Sequence, residues 1–415
     1  MSLTLKILLI SIGFACFAPP VVLYVATRGP QRALRRLGEV HWTELARVRW
    51  GFLMAVNKCT FFLCAGAVAV ALVLGHDDFA YPRLLALATL GLAYVTSLAV
   101  TVRLARDVPG PRNKDATFGQ KLKTSAAWIM LLRGPAVASL VALAIIPMDA
   151  RSPWAYITVL ALLVVVVWLL GPGATWAPRK LGVMAPASQE LAERVNSAGE
   201  RAGLGPIPAY ILEMPIANAF ALLFGRAIGI TRGLIGTLTD EQLDSVLDHE
   251  AAHLAEGRAR RWAHGAAAFV PVPILTALPV GMTFGPIYGL ALGSLSILIL
   301  VAGKKVAISL ETRADAAAHK VEVNEGEYAG ALESLHGTNL TPAVVPAGSS
   351  PHGNLYDRMV EAGVQPNYPR PGLPDPQGGL SVLLLAAYIA LIGACSTLSA
   401  QMTPASKNAI PMADE

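Results

Sequence analysis

Eight apolar stretches, near residues 4–26, 51–75, 83–103, 126–148, 154–172, 265–283, 286–303 and 380–400, constrain this chain more than any other feature. A bilayer core about 30 Å thick is crossed by about 20 apolar residues of helix. Only 15% of the residues are charged and 54% are hydrophobic, where a soluble domain carries about 25% charge. The expectation is a polytopic membrane protein of about eight transmembrane helices, with Pro271, Pro273 and Pro279 interrupting the sixth. The opening stretch lacks a charged start and a small-residue cleavage site, so it reads as a span and not as a signal peptide.

Positive charge sorts between the loops. Residues 27–50 carry Arg28, Arg32, Arg35, Arg36, Arg47 and Arg49, and residues 104–125 carry Arg106, Arg112, Lys114, Lys121 and Lys123. The alternate connectors are short: His76-Asp77-Asp78 in one and Asp149-Ala150-Arg151 in the next. By the positive-inside rule the basic loops face the cytoplasm, which puts 173–264 and 304–379 on that side and the tail outside. Topology thus accounts for the net charge of +5. The chain has no stripe of interleaved aromatic and basic residues, so the lipid bilayer is an expected partner and nucleic acid is not. Cys16, Cys59, Cys64 and Cys395 all fall in apolar stretches without CxxC spacing, which points to packing and away from thiolate metal ligation.

The organisation that follows is a five-helix membrane unit over 1–172, a polar segment over 173–264, and a transmembrane hairpin over 265–303. A second polar segment over 304–379, a final span over 380–400 and a tail over 401–415 complete it. Within the first polar segment, Ser188 to Ala202 has a helical pattern, and short β-like runs fall near 209–212, 217–223 and 227–231. Thr239-Asp240-Glu241-Gln242 is a capping box opening a helix that Gly257 can close. A further helix is expected over 306–323, and 337–379, rich in Pro and Gly, reads as irregular.

The capped helix carries His249-Glu250-Ala251-Ala252-His253. Residues four apart share a helical face, so His249 and His253 can hold one metal ion, with the Glu250 carboxylate beside it. A catalytic zinc wants three protein ligands and an open position. Glu311, on a polar helix of the same expected side, is the candidate third ligand. Asp315, one turn on, would accept a hydrogen bond from a ligand histidine and fix its tautomer. His319 as a fourth ligand would close the open position, so it reads as an outer or surface histidine, and His264 and His336, which lack ligand spacing, read as structural or exposed. Lys58 and Arg133 lie inside spans near their cytoplasmic ends, where snorkelling is the favoured reading and a water-filled cavity the alternative.

With these residues in place the chain resembles the M48 family of membrane zinc metallopeptidases, which includes HtpX and the CAAX prenyl proteases. Four features match in order: Asn218-Ala219-Phe220-Ala221 followed by Thr231-Arg232-Gly233-Leu234, the HExxH helix, the Glu311-x-x-Ala314-Asp315 helix, and the His352 to Arg358 spacing. Two positions depart: Asp248 stands where members usually have Ala, and Gly353 where a proline is usual. The resemblance covers roughly 180–365 and implies a mainly α protein with a gluzincin-type zinc protease domain containing a small β-sheet. It implies Zn2+ on His249, His253 and Glu311, with Glu250 as general base. His352 and Arg358 would act on the oxyanion or substrate carbonyls, and the strand at Asn218, Ala219, Phe220 and Ala221 would pair with a peptide or protein substrate.

The expectation is a metalloendopeptidase for membrane-associated or damaged proteins. Its Ala- and Arg-rich composition points to a bacterial plasma membrane, with the active site cytoplasmic. A CAAX-type processing enzyme is the alternative, suggested by the five-plus-two arrangement of spans. An intramembrane protease is disfavoured by the charged residues around the motif, and a transporter with a relict metal site by the presence of Glu250.

Overall fold

The computed structural model describes residues 3–74, 82–110, 117–125, 138, 141–142, 146, 150–214, 216–223, 225–322, 324–346 and 353–402. His352, Arg133 and nearly all of the expected span 126–148 lie outside the described residues. Among the described residues, six helices are long and apolar enough to cross a membrane: Leu5–Arg36, Trp42–Leu74, Arg83–Asp107, Pro153–Leu170, Pro286–Val321 and Gly378–Leu398. They coincide with six of the eight expected spans.

The expected span at 265–283 is different. It is a short 3₁₀ turn over Ala266–Phe269 followed by a helix over Pro271–Phe284. Fourteen residues of helix rise about 21 Å, short of a bilayer core. Pro271 sits in the first turn, where its missing N–H costs nothing, and Gly285 at φ 114° ends the helix.

The chain divides into two compact units. The first consists of Met1–Arg36, Gly51–Val108 and Asp375–Glu415, and is helical throughout its described elements. In it Lys58 donates to the Pro376 and Gln377 carbonyls at 2.5 and 3.1 Å and to Ser381 Oγ at 2.5 Å. The ammonium thus satisfies its donors on the polypeptide where the last apolar helix begins. All four cysteines are free, with Cys59 and Cys395 buried.

The second unit, Leu37–Trp50 with Pro109–Pro374, holds every described candidate site residue. Its strands are β1 (Met184–Pro186), β2 (Ala209–Leu212), β3 (Ala219–Leu222) and β4 (Ala227–Thr231), in sheet order β1-β2-β4-β3. β2 pairs parallel with β4, and β3 pairs antiparallel with β4 in the register Ala219↔Ile230 to Leu222↔Ala227. β3 is therefore an edge strand with one side of its backbone unpaired by the sheet. The expected strands are present; β1, three residues ending in proline, was too short to carry an alternating pattern.

Four helices of this unit bear on the site, here labelled αA (Gln189–Arg201), αB (Asp240–Ala255), αC (Pro286–Val321) and αD (Glu327–Asn339). Ser188 caps αA by accepting from Leu191 N, and the Thr239–Gln242 capping box opens αB with both of its bonds formed. Gly257 does not close αB as expected: at φ −61° it is the N-cap of the next helix, Arg258–Gly265. Leu191, Val195 and Ala198 of αA pack with Ile211, Ile228 and Ile230 of the sheet and Val246, Leu247, Ala251 and Leu254 of αB. Each buried Leu, Ile or Val side chain of this set contributes about 1.5–3 kcal/mol.

The helix expected over 306–323 is the second half of αC, which runs without a break from the apolar stretch to Val321. Nothing between Gly303 and Val306 interrupts it, since Lys304 and Lys305 are good helix formers. The region expected to be irregular also contains most of αD's last turn and a short helix over Leu355–Glu361 that carries Arg358.

Gly233, in the segment after β4, is required by a close approach: a Cβ there would stand 2.6 Å from the Ile216 carbonyl oxygen. Because the obstacle is backbone, Gly233→Ala is expected to destabilise the fold by about 1–3 kcal/mol. Thermal unfolding of the detergent-solubilised chain checks this, and an unchanged midpoint contradicts it.

Candidate metal centre

Helical periodicity puts His249 and His253 one turn apart on αB, and αC brings Glu311 against them. The two Nε2 atoms are 3.1 Å apart. Glu311 Oε2 lies 3.5 Å from His249 Nε2, and Oε1 lies 3.7 Å from His253 Nε2. These three residues form a group able to hold a metal ion. Zn–N and Zn–O bonds of about 2.0–2.1 Å place tetrahedral ligand atoms about 3.3 Å apart, so the donor set fits zinc in both chemistry and spacing. His249 and Glu311 are buried, at 6% and 8% exposure.

Glu250 occupies the adjacent position and reaches the sheet. Its Oε2 accepts from Ala221 N at 2.6 Å, on the edge strand. Asn218, just before that strand, is tied to β4: its N–H donates to Thr231 Oγ1 at 2.8 Å, and its carbonyl accepts from Thr231 N at 2.9 Å. The two segments singled out in the sequence, one at Asn218 and one at Thr231, are thus bonded to each other.

Behind His249 lies a polar cluster. Asp315 Oδ1 is 3.1 Å from His249 Nδ1. It also accepts from Tyr328 Oη at 2.8 Å and from Arg358 at 2.6 Å. Tyr328 Oη is 2.7 Å from His249 Nδ1 and accepts from Arg358 at 3.1 Å. In this structure the Arg358 guanidinium is therefore engaged by Asp315 and Tyr328, on the Nδ1 side of the imidazole. Tyr328 escaped the sequence reading because no motif or spacing marks it. Its one signal is a hydroxyl-bearing ring on αD's buried face, beside Ala329, Ala331 and Leu335.

His319 stands outside the ligand group. Its Nδ1 is 2.7 Å from Glu322 Oε1, and its ring meets Tyr328 edge-on. Glu322 in turn accepts from the Gly326 and Tyr328 backbone N–H groups, satisfying the first turn of αD. His336 Nδ1 is 3.3 Å from the Thr341 carbonyl, well away from the ligand motif in sequence and partners.

Asp248, unusual before the first histidine, has a partner that accounts for it. Arg201 of αA bonds Asp248 Oδ1 through Nε at 2.9 Å and through a terminal nitrogen at 2.8 Å. Burial pushes the Asp248 carboxyl up, and the Arg201 hydrogen bond partly offsets this. Burial disfavours the charged form of His249, but the Asp315 and Glu311 carboxylates, with Glu250 nearby, outweigh it and push the imidazole up to about 9. Burial likewise pushes the Tyr328 phenol well above its ordinary value, so it is a neutral hydroxyl.

Fold and site together define a membrane protein with a buried His-His-Glu centre set between a polar helix and the polar end of an apolar one. Residues 186–364 match the model of Peptidase family M48. Three similar proteins are HtpX protease homologues. That of Thermoplasma acidophilum is 33% identical over 96 residues, covering 22% of this chain and 30% of the relative. That of Aeropyrum pernix is 31% identical over 102 residues, 24% and 32% of the two chains. That of Bordetella pertussis is 34% identical over 94 residues, 21% and 32%. Each match thus spans about a third of the relative's length. The resemblance read from the motifs holds: residues 186–364 are similar to M48 peptidases, and the relatives compared are HtpX homologues.

A metal ion needs the unprotonated imidazole, so the proton that His249 holds up to about 9 competes with it. Zinc affinity of the full chain is therefore expected to fall about tenfold per pH unit as pH drops below that value, one proton leaving per ion bound. Chelator competition between about pH 6 and 8.5 measures it; a flat profile contradicts the proton assignment.

Proposed function

We propose that the chain is a membrane-bound zinc metalloendopeptidase that hydrolyses membrane-associated or damaged proteins at the cytoplasmic face. The observation that carries this reading is the convergence of His249, His253 and Glu311, with Glu250 poised between them and an edge strand. His249, His253 and Glu311 would hold the ion. Zinc, when bound, supplies a water whose pKa is lowered to about 7.

The remaining chemistry belongs to the chain. Glu250 takes the proton of the attacking water and passes it to the leaving amine. Its present partner, Ala221 N–H, keeps the carboxylate beside the strand that a substrate would extend. β3 is an edge strand of the sheet, so an extended peptide would add to it by main-chain hydrogen bonds, with Asn218, Ala219, Phe220 and Ala221 forming the docking edge. Recognition through backbone gives weak side-chain preference, which suits unfolded or damaged substrates. His352 and Arg358 keep their proposed roles near the oxyanion, Arg358 by moving from its bonds to Asp315 and Tyr328.

The cytoplasmic address rests on the basic loops at 27–50 and 104–125. The proposed partition remains a membrane unit over 1–172, catalytic segments over 173–264 and 304–379, and spans between and after them. The names of the relatives support the HtpX side of the family over CAAX processing.

Glu250→Gln is expected to lower casein hydrolysis by about 10²–10⁴-fold while bound zinc stays stoichiometric by metal analysis. Equal activity in variant and parent overturns the proposal. Reporter fusions at loops 104–125 and 173–264 are expected to give cytoplasmic signals, and an external signal at the latter overturns the topology.

A further inference from the structure

Three groups meet on the Nδ1 side of His249, and their hydrogen-bonding roles follow once Nε2 is committed to the ligand group. If Nε2 offers its lone pair to a metal, Nδ1 carries the proton and donates. Two acceptors are in reach: Tyr328 Oη at 2.7 Å and Asp315 Oδ1 at 3.1 Å. Arg358 is only a donor, and it points at both Asp315 and Tyr328, at 2.6 and 3.1 Å. Tyr328 Oη, 2.8 Å from Asp315, has one proton to give and two lone pairs to fill. It donates to Asp315 and accepts from His249 and Arg358, which uses its whole capacity.

We propose that Tyr328 is the positioning residue of the metal site: its hydroxyl takes the His249 Nδ1–H and thereby holds Nε2 as the free ligand nitrogen. Asp315 acts one bond further out, orienting the phenol. This inference rests on the zinc reading of His249, His253 and Glu311.

The surroundings fix the phenol for that task. Tyr328 is 2% exposed. Its ring lies nearly parallel to the His249 imidazole, 22° between planes and 5.6 Å between centroids, with His319 edge-on at 5.1 Å. Glu322 fixes the start of αD by accepting from the Tyr328 and Gly326 N–H groups. A hydroxyl held by its backbone, its ring and three polar partners has no other rotamer to occupy.

The test uses the full-length chain in detergent, with zinc affinity measured by chelator competition and folding by thermal unfolding of the metal-free protein. Tyr328→Phe keeps the ring and deletes the hydroxyl, and is expected to weaken zinc binding about 10–100-fold while changing KM for a peptide substrate little. Asp315→Asn, which leaves the phenol an oxygen to donate to, is expected to weaken it less. Equal affinity in Tyr328→Phe and parent, or a larger loss in Asp315→Asn than in Tyr328→Phe, overturns the assignment of Tyr328 alone. Should Tyr328→Phe not fold, Asp315→Asn decides: a loss within about tenfold supports the relay, and a loss beyond that, the size expected when a direct hydrogen bond to the ligand histidine is removed, overturns it. A parent chain that binds no zinc overturns the metal reading itself, and this inference with it.

Discussion

A carboxylate buried between two imidazoles is the interaction on which the rest of this unit depends. Glu311 and His249 are both almost wholly out of solvent, where an uncompensated charge is strongly destabilising. Around them the chain arranges three further carboxylates, each at hydrogen-bond range of a donor, with two guanidinium groups among those donors: Glu250 on the strand amide, Asp315 under Tyr328 and Arg358, and Asp248 under Arg201. An ion placed among His249, His253 and Glu311 supplies the positive charge that such a set lacks. The site is thus built as a polar inclusion, with Glu250, Asp315 and Asp248 each answered by a named donor.

The fold supports this inclusion from both sides. αA, the sheet and αB form an apolar layer beneath the motif, while αC closes it from the other side. The departure at Asp248 becomes intelligible in this setting. A residue one position before a ligand, on a face turned towards αA, can carry charge when that neighbour offers Arg201 within 3 Å. The ion pair joins two helices that also meet through aliphatic side chains and through Arg194 of αA with Asp240 and Asp244 of αB.

Much of this was legible in the sequence because it is local. A capping box, a four-residue histidine spacing and β-like runs broken by Gly225-Arg226 depend on neighbours in the chain, and αB, β2, β3 and β4 appeared where those signals fell. Glu311 was found because its helix shares the polarity of the motif. Tyr328 was not, since its role comes from αD crossing behind αB, 79 residues from His249 in sequence. The fate of Gly257 was misjudged for a related reason: a glycine after a helix can end one helix or cap the next, and only the backbone angle distinguishes them. The expected sixth span is divided into a 3₁₀ turn and a shorter helix, a division that apolar composition does not mark.

The unbroken course of αC has a mechanical consequence. Lys304 is the first charged residue after its apolar half, and Glu311 follows seven positions later in the same helix. At 1.5 Å per residue that is about 10 Å of rigid rise, a length an extended polypeptide covers in about three residues. On the proposed function the helix would act as a measuring rod: with one end set by the bilayer and the other holding a ligand of the site, it would fix the depth at which a bond is cut. A substrate anchored in the same membrane would present its chain at a constant height, and its register along the edge strand would be counted from the lipid surface more than read from its side chains.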